Sequence, residues 1–515
     1  MEPVALRSVP GRWIMVTTIL ASTMAFIDGT ALNVVLPALQ KGLKASAAEL
    51  FWVLNGYMLM LASLILIGGA LGDKVGRKKI FTLGIAIFIM GSAACGLASS
   101  AGMLIACRVI QGIGGAFMIP GSLAIISASI QQDERGKAIG TWSAFTTFVT
   151  MGGPLLGGAL ADAGLWRGIF FINVPIGLAV LYFLHKHVAE TRDEDAVDSQ
   201  PDYPGAIFIA CGLAALTFGF LRMPQAGWKA VSVYGSLLVG VILLIAFIVR
   251  EATCPNPMMS LKLFKNRIFA GANLLSFFLY AGLGGGMLFL GLNLVQAQGY
   301  TQLESGFNFL PFSLLMISLS RWMGAMADKY GPRFFLVTGP LVAGAGLFLL
   351  STIQQTKGFP DYWTTYFPGI LVFGLGMSIT VSPLTAAVMG AVSQHQSGTA
   401  SGVNNAVTRI ASVFATAIFG ALAVLFFSDA VHSCVYTLPL SPADKEAVVS
   451  QAKNLGDAAV PPQIPAAYQK AIAANYRDAF INAYGKVMKL CALLGLLASM
   501  MAWIFIRTPK SSAEQ

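Results

Sequence analysis

GALGDKVGRK (69–78) closes one apolar block, opens the next, and returns 255 residues later as GAMADKYGPR (324–333). Gly69, Asp73, Lys74, Gly76 and Lys78 in the first copy match Gly324, Asp328, Lys329, Gly331 and Arg333 in the second. Such a match marks two related halves. A fainter echo, GKAIG (136–140) against GTASG (398–402), is offset by 262 residues, again near half of the 515-residue chain.

Outward from both copies the sequence is apolar in blocks of about twenty residues, the length that crosses a bilayer as a helix. The chain is 56% hydrophobic and 11% charged, against roughly 25% charged in a soluble domain. Too little polar surface is available for a water-soluble fold. Fourteen spans are expected, at 13–39, 49–71, 80–99, 102–127, 138–161, 168–186, 205–221, 230–249, 268–295, 302–326, 334–353, 363–390, 399–428 and 484–506. The repeated loop follows span 2 in one half and span 10 in the other, whereas a plain six-helix duplication would place it after span 8. Spans 7 and 8 therefore read as an insertion. The expected organisation is an all-α polytopic membrane protein with a six-helix bundle at 1–190, a linker with two extra helices at 191–266, and a second six-helix bundle at 267–515. A long extracytoplasmic loop falls at about 429–480, where Ser441 and Asp444 make a capping pattern before a short helical run.

The net charge of +10 is not gathered into a patch that would suit nucleic acid. It follows the membrane instead. In the short loops, the side holding both termini carries eighteen Lys and Arg and the other side six, which puts both ends in the cytoplasm. The first apolar block is too long for a signal-peptide core and reads as a retained span. The six cysteines are scattered without disulfide or metal-ligand spacing. The absence of N-x-[ST] sites agrees with a bacterial inner membrane.

In the repeated loop, Gly69 and Gly76 permit close approach and a tight turn. Asp73 ends span 2, and Lys74, Arg77, Lys78 and Lys79 offer donors to it and to neighbouring helix C-termini. The cluster can lock helices in one state and release them in another; the same is expected of Asp328, Gly331 and Arg333. The alternative is a positive-inside anchor. Asp28 is the residue of greatest interest, because it lies fifteen residues into a span of twenty-seven. An ionised carboxylate at that depth costs roughly 2.5–3.5 kcal/mol, so it should face the bundle interior or a water-filled cavity. There it could take up a proton, release it, and attract a cation when empty; a structural Asp bonded to Thr30 or to span 4 is the alternative. Arg108 in span 4 is its natural partner, unless it only snorkels outward. Gln111 and the small residues Gly112, Gly114, Gly115 and Ala116 would let another helix pack against span 4.

These features, with FIDGTALNVVLPAL (26–39), FWVLNGYML (51–59), LIACRVIQGIGGA (104–116), GGPLLGG (152–158) and WRGIFFINVPIG (166–177), resemble the major facilitator superfamily and its fourteen-span drug:proton antiporter branch over about residues 13–428. The resemblance implies a proton relay through Arg108 and ties the span 5 motif to antiport. Residues Gly153, Pro154, Gly157 and Gly158 of that motif remove a backbone donor and several side chains, giving a bendable segment or a passive kink. Arg409, deep in span 13, could serve substrate or coupling, or pair structurally. Glu304, at the outer end of span 10, reads as an interfacial residue with proton binding as the alternative, and Arg321, near the inner end, snorkels or meets Asp328. Phe277, Phe278, Tyr280, Met287 and Phe289 line either a drug pocket or a packing face.

The expected activity is export of amphiphilic, cationic compounds in exchange for protons, with small-molecule substrate, protons and the lipid bilayer as partners. A periplasmic adaptor protein is a candidate partner. No cofactor, metal or nucleic acid is expected. An exporter of an anionic metabolite, such as a siderophore or fatty acid, is the competing reading within the same fold. A membrane enzyme is disfavoured, because His185, His187, His395 and His432 lie near or beyond span ends.

Overall fold

The computed structural model describes residues 4–132, 134–192, 202–255, 257–392 and 397–506; the side chains of nine further residues within helices, Asp328 among those, lie outside the description. Fourteen long helices follow one another: α1 (Val9–Leu43), α2 (Ala47–Val75), α3 (Arg77–Leu97), α4 (Ala101–Ser129), α5 (Arg135–Asp162), α6 (in two segments, Gly168–Phe171 and Asn173–His187), α7 (Tyr203–Ala226), α8 (Val231–Thr253), α9 (Arg267–Gln296), α10 (in two segments, Gln302–Phe307 and Leu310–Tyr330), α11 (Pro332–Ser351), α12 (Tyr366–Gly390), α13 (Ser397–Val435) and α14 (Ala466–Phe505). Among the described residues, thirteen are long and apolar enough to cross a bilayer, and α5, with 28 residues, matches them in length. Among the described residues the only extended pairing is a single bridge between Val4 and Ile130. Helices suit a bilayer because each satisfies its own backbone hydrogen bonds where water cannot.

The chain divides into two compact units. The first comprises Met1–Ala45, Glu49–Gly219 and Trp228–Ser260, and the second Ser46–Ala48, Phe220–Gly227 and Leu261–Gln515. In the first unit α1 packs along α5 and α3 along α4. A Cβ on Gly112 would sit 2.5 Å from the Tyr57 carbonyl oxygen, so only glycine lets α4 approach α2 this closely. In the second unit the main seams are α11 with α12, α9 with α14, and α11 with α14. Large apolar side chains such as Leu238, Ile242, Ile245 and Val249 on α8 are about half exposed, a surface compatible with lipid and not with water.

Helix ends are held by local chemistry. Ser8 and Ser100 accept from the first turns of α1 and α4, and Asn266 from that of α9. Glu304, expected near a span end, completes a capping box with Thr301 at the start of α10. The segment expected as a long loop at 429–480 is shorter, because α13 runs on to Val435 and α14 starts at Ala466. Between them lie a short helix, Pro442–Ser450, whose N-cap Ser441 accepts from Asp444 N at 3.1 Å, and a 3-10 turn, Gln451–Asp457.

Candidate functional site

Asp28 and Arg108 are each 1% exposed, in the interior of the first unit. Arg108 Nη1 donates to Asp28 Oδ2 at 2.5 Å and to Gln111 Oε1 at 2.7 Å, and Gln111 Nε2 donates to Asp28 Oδ1 at 2.9 Å. Arg108 and Gln111 stand three residues apart on α4 and so share one face of that helix. The three side chains close a triangle that engages both carboxylate oxygens. Around it, Arg108 Nε donates to the Val53 carbonyl on α2 at 3.3 Å, and the guanidinium carbon lies 4.3 Å from the Tyr57 ring centroid. The Phe170 ring centroid is 6.0 Å away from α6, and Cys95 Sγ on α3 lies 3.7 Å from Gln111 Oε1. Five helices therefore converge on one ion pair. Arg108 does not snorkel. Removing one member of such a pair strands the other charge in the interior, typically at 3–5 kcal/mol.

Of the alternatives open for Asp28, bonding to span 4 side chains describes its contacts here, while Thr30 turns elsewhere. Thr30 Oγ1 donates to the Phe26 carbonyl at 2.9 Å and lies 3.3 Å from the Thr150 carbonyl. Thr150 stands four residues before Pro154, whose ring has no N–H for that oxygen. Thr30 therefore covers the acceptor that Pro154 leaves open. Gly153 faces the Thr30 hydroxyl and Gly157 faces the Ala31 carbonyl, with no room for a Cβ at either place; Gly158 is buried on the same helix. The GGPLLGG segment thus rests on α1 within three residues of Asp28. Pro154 lies inside a continuous α5.

At the first repeated loop, Arg77 Nε donates to Asp73 Oδ1 at 2.8 Å. Gly76 has φ +130°, and the place of its missing Cβ is only 2.7 Å from the Glu190 carboxyl carbon. Glu190 accepts from the backbone N–H of Lys78 at 2.9 Å and of Lys79 at 3.1 Å, a carboxylate on the positive end of α3. In return, Lys78 Nζ donates to the His185 and Val188 carbonyls at the end of α6. Gly69 approaches Pro120 on α4. At the second loop, Gly331 has φ +85° and Arg333 Nη2 donates to the Trp503 carbonyl at 3.2 Å; the Asp328 side chain lies outside the described residues.

Arg409 belongs to α13 of the second unit, within electrostatic reach of Tyr280 on α9. Nearby on the same two helices, Asn404 Nδ2 donates to Asn273 Oδ1 at 3.1 Å and to Ser276 Oγ at 2.8 Å. Phe289 is wholly buried, whereas Phe277, Phe278, Tyr280 and Met287 are partly exposed. Arg321 is exposed and His395 lies outside the described residues. The roles of Gln111, Tyr57 and Glu190 escaped the sequence reading, which took Gln111 for a packing residue.

Residues 18–416 match the family model described as Major Facilitator Superfamily. The chain belongs to the major facilitator superfamily. This membership makes it a multi-pass membrane transporter of small molecules and not an enzyme. The chain is 28% identical to a tetracenomycin C resistance and export protein of Streptomyces glaucescens, over 93% of this chain and 88% of that one. It is 31% identical to a methylenomycin A resistance protein of Bacillus subtilis, covering 79% and 87%, and 31% identical to the multidrug resistance protein Stp of Mycobacterium tuberculosis, covering 80% and 76%. A bacterial homologue of the human lysosomal transporter Spinster, inward-facing and unoccupied, shares the fold with a TM-score of 0.67 at 18% identity, covering 98% of this chain and all of that one. The E. coli xylose transporter XylE does so at a TM-score of 0.57 and 14% identity, covering 97% of each.

Proposed function

We propose that this facilitator is a drug:proton antiporter that exports amphiphilic, cationic toxic compounds by alternating access. It works in a bacterial inner membrane with both termini in the cytoplasm, and is organised as six, two and six helices. The relatives named for antibiotic resistance, multidrug resistance and export support the substrate class. The observation that carries the reading is the Asp28–Arg108–Gln111 triangle, among the described residues the one buried acid in direct contact with a buried cation inside the helix-lined core of the first unit.

The chemistry follows from competition for one carboxylate. With Asp28 ionised, Arg108 and Gln111 hold it and the site is closed to solvent. A proton on Asp28 cancels the charge that anchors Arg108, which loosens the triangle; a cationic substrate that reaches Asp28 competes with Arg108 and with the proton alike. Thr30 and the Gly153–Pro154 segment, packed two to three residues away, give that change a mechanical outlet into α5. Arg409 is the cation that would meet a polar or anionic part of the substrate in the second unit. One proton moving through about 150 mV releases roughly 3.5 kcal/mol, enough for a gradient of a few hundred-fold.

The test is uptake of a cationic dye into everted membrane vesicles. Wild-type protein should give uncoupler-sensitive uptake and Asp28→Asn, at equal abundance in the membrane, little or none. Equal, uncoupler-sensitive uptake by both would remove Asp28 from the mechanism.

A further inference from the structure

The geometry points to a binding site for one anionic phospholipid on the second unit, over the seam of α11 and α14. A groove of about 410 Å³ opens there, lined by Tyr330, Arg333, Phe334, Val337 and Thr338. Among the described residues no acidic side chain lines it. Its polar end is built and not merely basic. The bond from Arg333 Nη2 to the Trp503 carbonyl ties the guanidinium to α14 and spends one of its five N–H donors. Lys329 brings a second positive charge, its Nζ lying 5.2 Å from the centroid of the Tyr330 ring that forms one wall. A guanidinium held in place with donors to spare suits a phosphodiester, which it can grip with two parallel hydrogen bonds.

Beyond the groove, the exposed faces of α11 and α14 suit acyl chains. Phe334, Leu341 and Phe348, seven residues apart on α11, are all exposed, and Leu493, Leu496, Met500 and Trp503 on α14 lie open as well. At 1.5 Å per residue, the fourteen residues from Phe334 to Phe348 extend roughly 21 Å, more than one leaflet's share of a hydrocarbon core about 30 Å thick. The floor between the two helices is closed. Ser499 Oγ donates to the Val337 carbonyl at 2.7 Å, and a Cβ on Gly495 would come within 2.9 Å of the Gly344 Cα. A ligand therefore lies on this seam and does not enter the bundle. A cationic head site continuous with an apolar track along a membrane helix fits a phospholipid, and the two positive charges favour one with a net negative headgroup over a zwitterionic one.

Native mass spectrometry of the full chain in detergent, titrated with dioleoylphosphatidylglycerol or dioleoylphosphatidylcholine, tests this. Wild type should retain one phosphatidylglycerol in preference to phosphatidylcholine. Lys329→Gln with Arg333→Gln should weaken phosphatidylglycerol roughly fivefold for each charge removed, and leave phosphatidylcholine unchanged. Phe334→Ala should weaken both lipids, and Arg333→Lys, a variant that keeps the charge, should retain most of the preference for phosphatidylglycerol. Lys357→Gln, a basic residue remote from the groove in sequence, should change neither. The proposal is overturned if the double variant binds phosphatidylglycerol as wild type does. It is equally overturned if inorganic phosphate displaces the lipid at matched concentration, or if the substitutions act by changing the oligomeric state.

Discussion

The two units bury different chemistry. Every charged side chain among the buried described residues, namely Asp28, Arg108, Asp202 and Glu251, belongs to the first unit. The buried polar groups of the second unit are neutral: Asn273, Ser276, Asn293, Ser378 and Thr380 are examples. The repeated loops recur in both units, while the buried charges among the described residues sit in the first. The difference teaches that titration and helix cementing are separable tasks. In hydrocarbon surroundings, neutral amide and hydroxyl contacts between helices contribute about 0.6–2 kcal/mol each, whereas a broken buried ion pair costs about 3–5. Substitutions of the two kinds should therefore differ in size and in what they disturb.

The largest effect is expected at Arg108. Arg108→Leu leaves Asp28 buried with one amide donor, and should lower thermal stability in micelles by about 3–5 kcal/mol and abolish transport. Neutralising the stranded acid as well, in Arg108→Leu with Asp28→Asn, should restore most of the stability and none of the coupling. Thermal unfolding of the two variants side by side measures this. A double variant no more stable than the single one would mean that Arg108 acts through its stacking on Tyr57 and not through the charge pair.

A smaller effect is expected at the first repeated loop, where Glu190 ties α3 to the end of α6. Glu190→Ala removes a carboxylate from the first turn of α3, a change of about 1 kcal/mol at an exposed helix end. Its signature should be local: faster tryptic cleavage after Arg77, Lys78 or Lys79 in the native protein, with the overall unfolding temperature little altered. Unchanged cleavage would show that Lys78, through its bonds to the His185 and Val188 carbonyls, holds the joint alone.

What the sequence revealed and what it hid follow the same physical line. Asp28 was legible because a single acid deep in an apolar block has few places to be, and Arg108 because it is the cation at a comparable depth in a nearby helix. Gln111 was not, since an amide beside Gly112 and Gly114 reads as helix packing; its role comes from the rotation of α4, which aims residues three apart at one target. Glu190 stood at the head of an acidic stretch, and its partners are backbone N–H groups more than a hundred residues earlier, which carry no side-chain signature. Thr30 looked like a partner for Asp28 two residues away, yet the carbonyl released by Pro154 lies closer to its reach. Hydropathy placed the last span at 484–506, whereas α14 begins at Ala466. The earlier turns are polar on one side, but Ile472, Tyr476, Phe480 and Tyr484 recur every four residues and are all buried, so helical periodicity marks a start that mean hydropathy misses.

The smallest effect is expected at Asn404, and it sharpens the contrast most. Asn404→Leu removes donors from Asn273 Oδ1 and Ser276 Oγ, at 3.1 and 2.8 Å. Asn273 remains bonded to the Phe269 carbonyl through its Nδ2, and the Ser276 hydroxyl remains bonded to the Ala272 carbonyl, so neither partner is wholly stranded. The loss should be about 1 kcal/mol in thermal unfolding. Because no ionisable group is removed, proton-driven dye uptake by everted vesicles should keep its sensitivity to uncouplers even if its rate falls. Loss of that sensitivity in Asn404→Leu would mean that the neutral interior of the second unit takes part in proton movement, and the division of labour between the units would fail at that point.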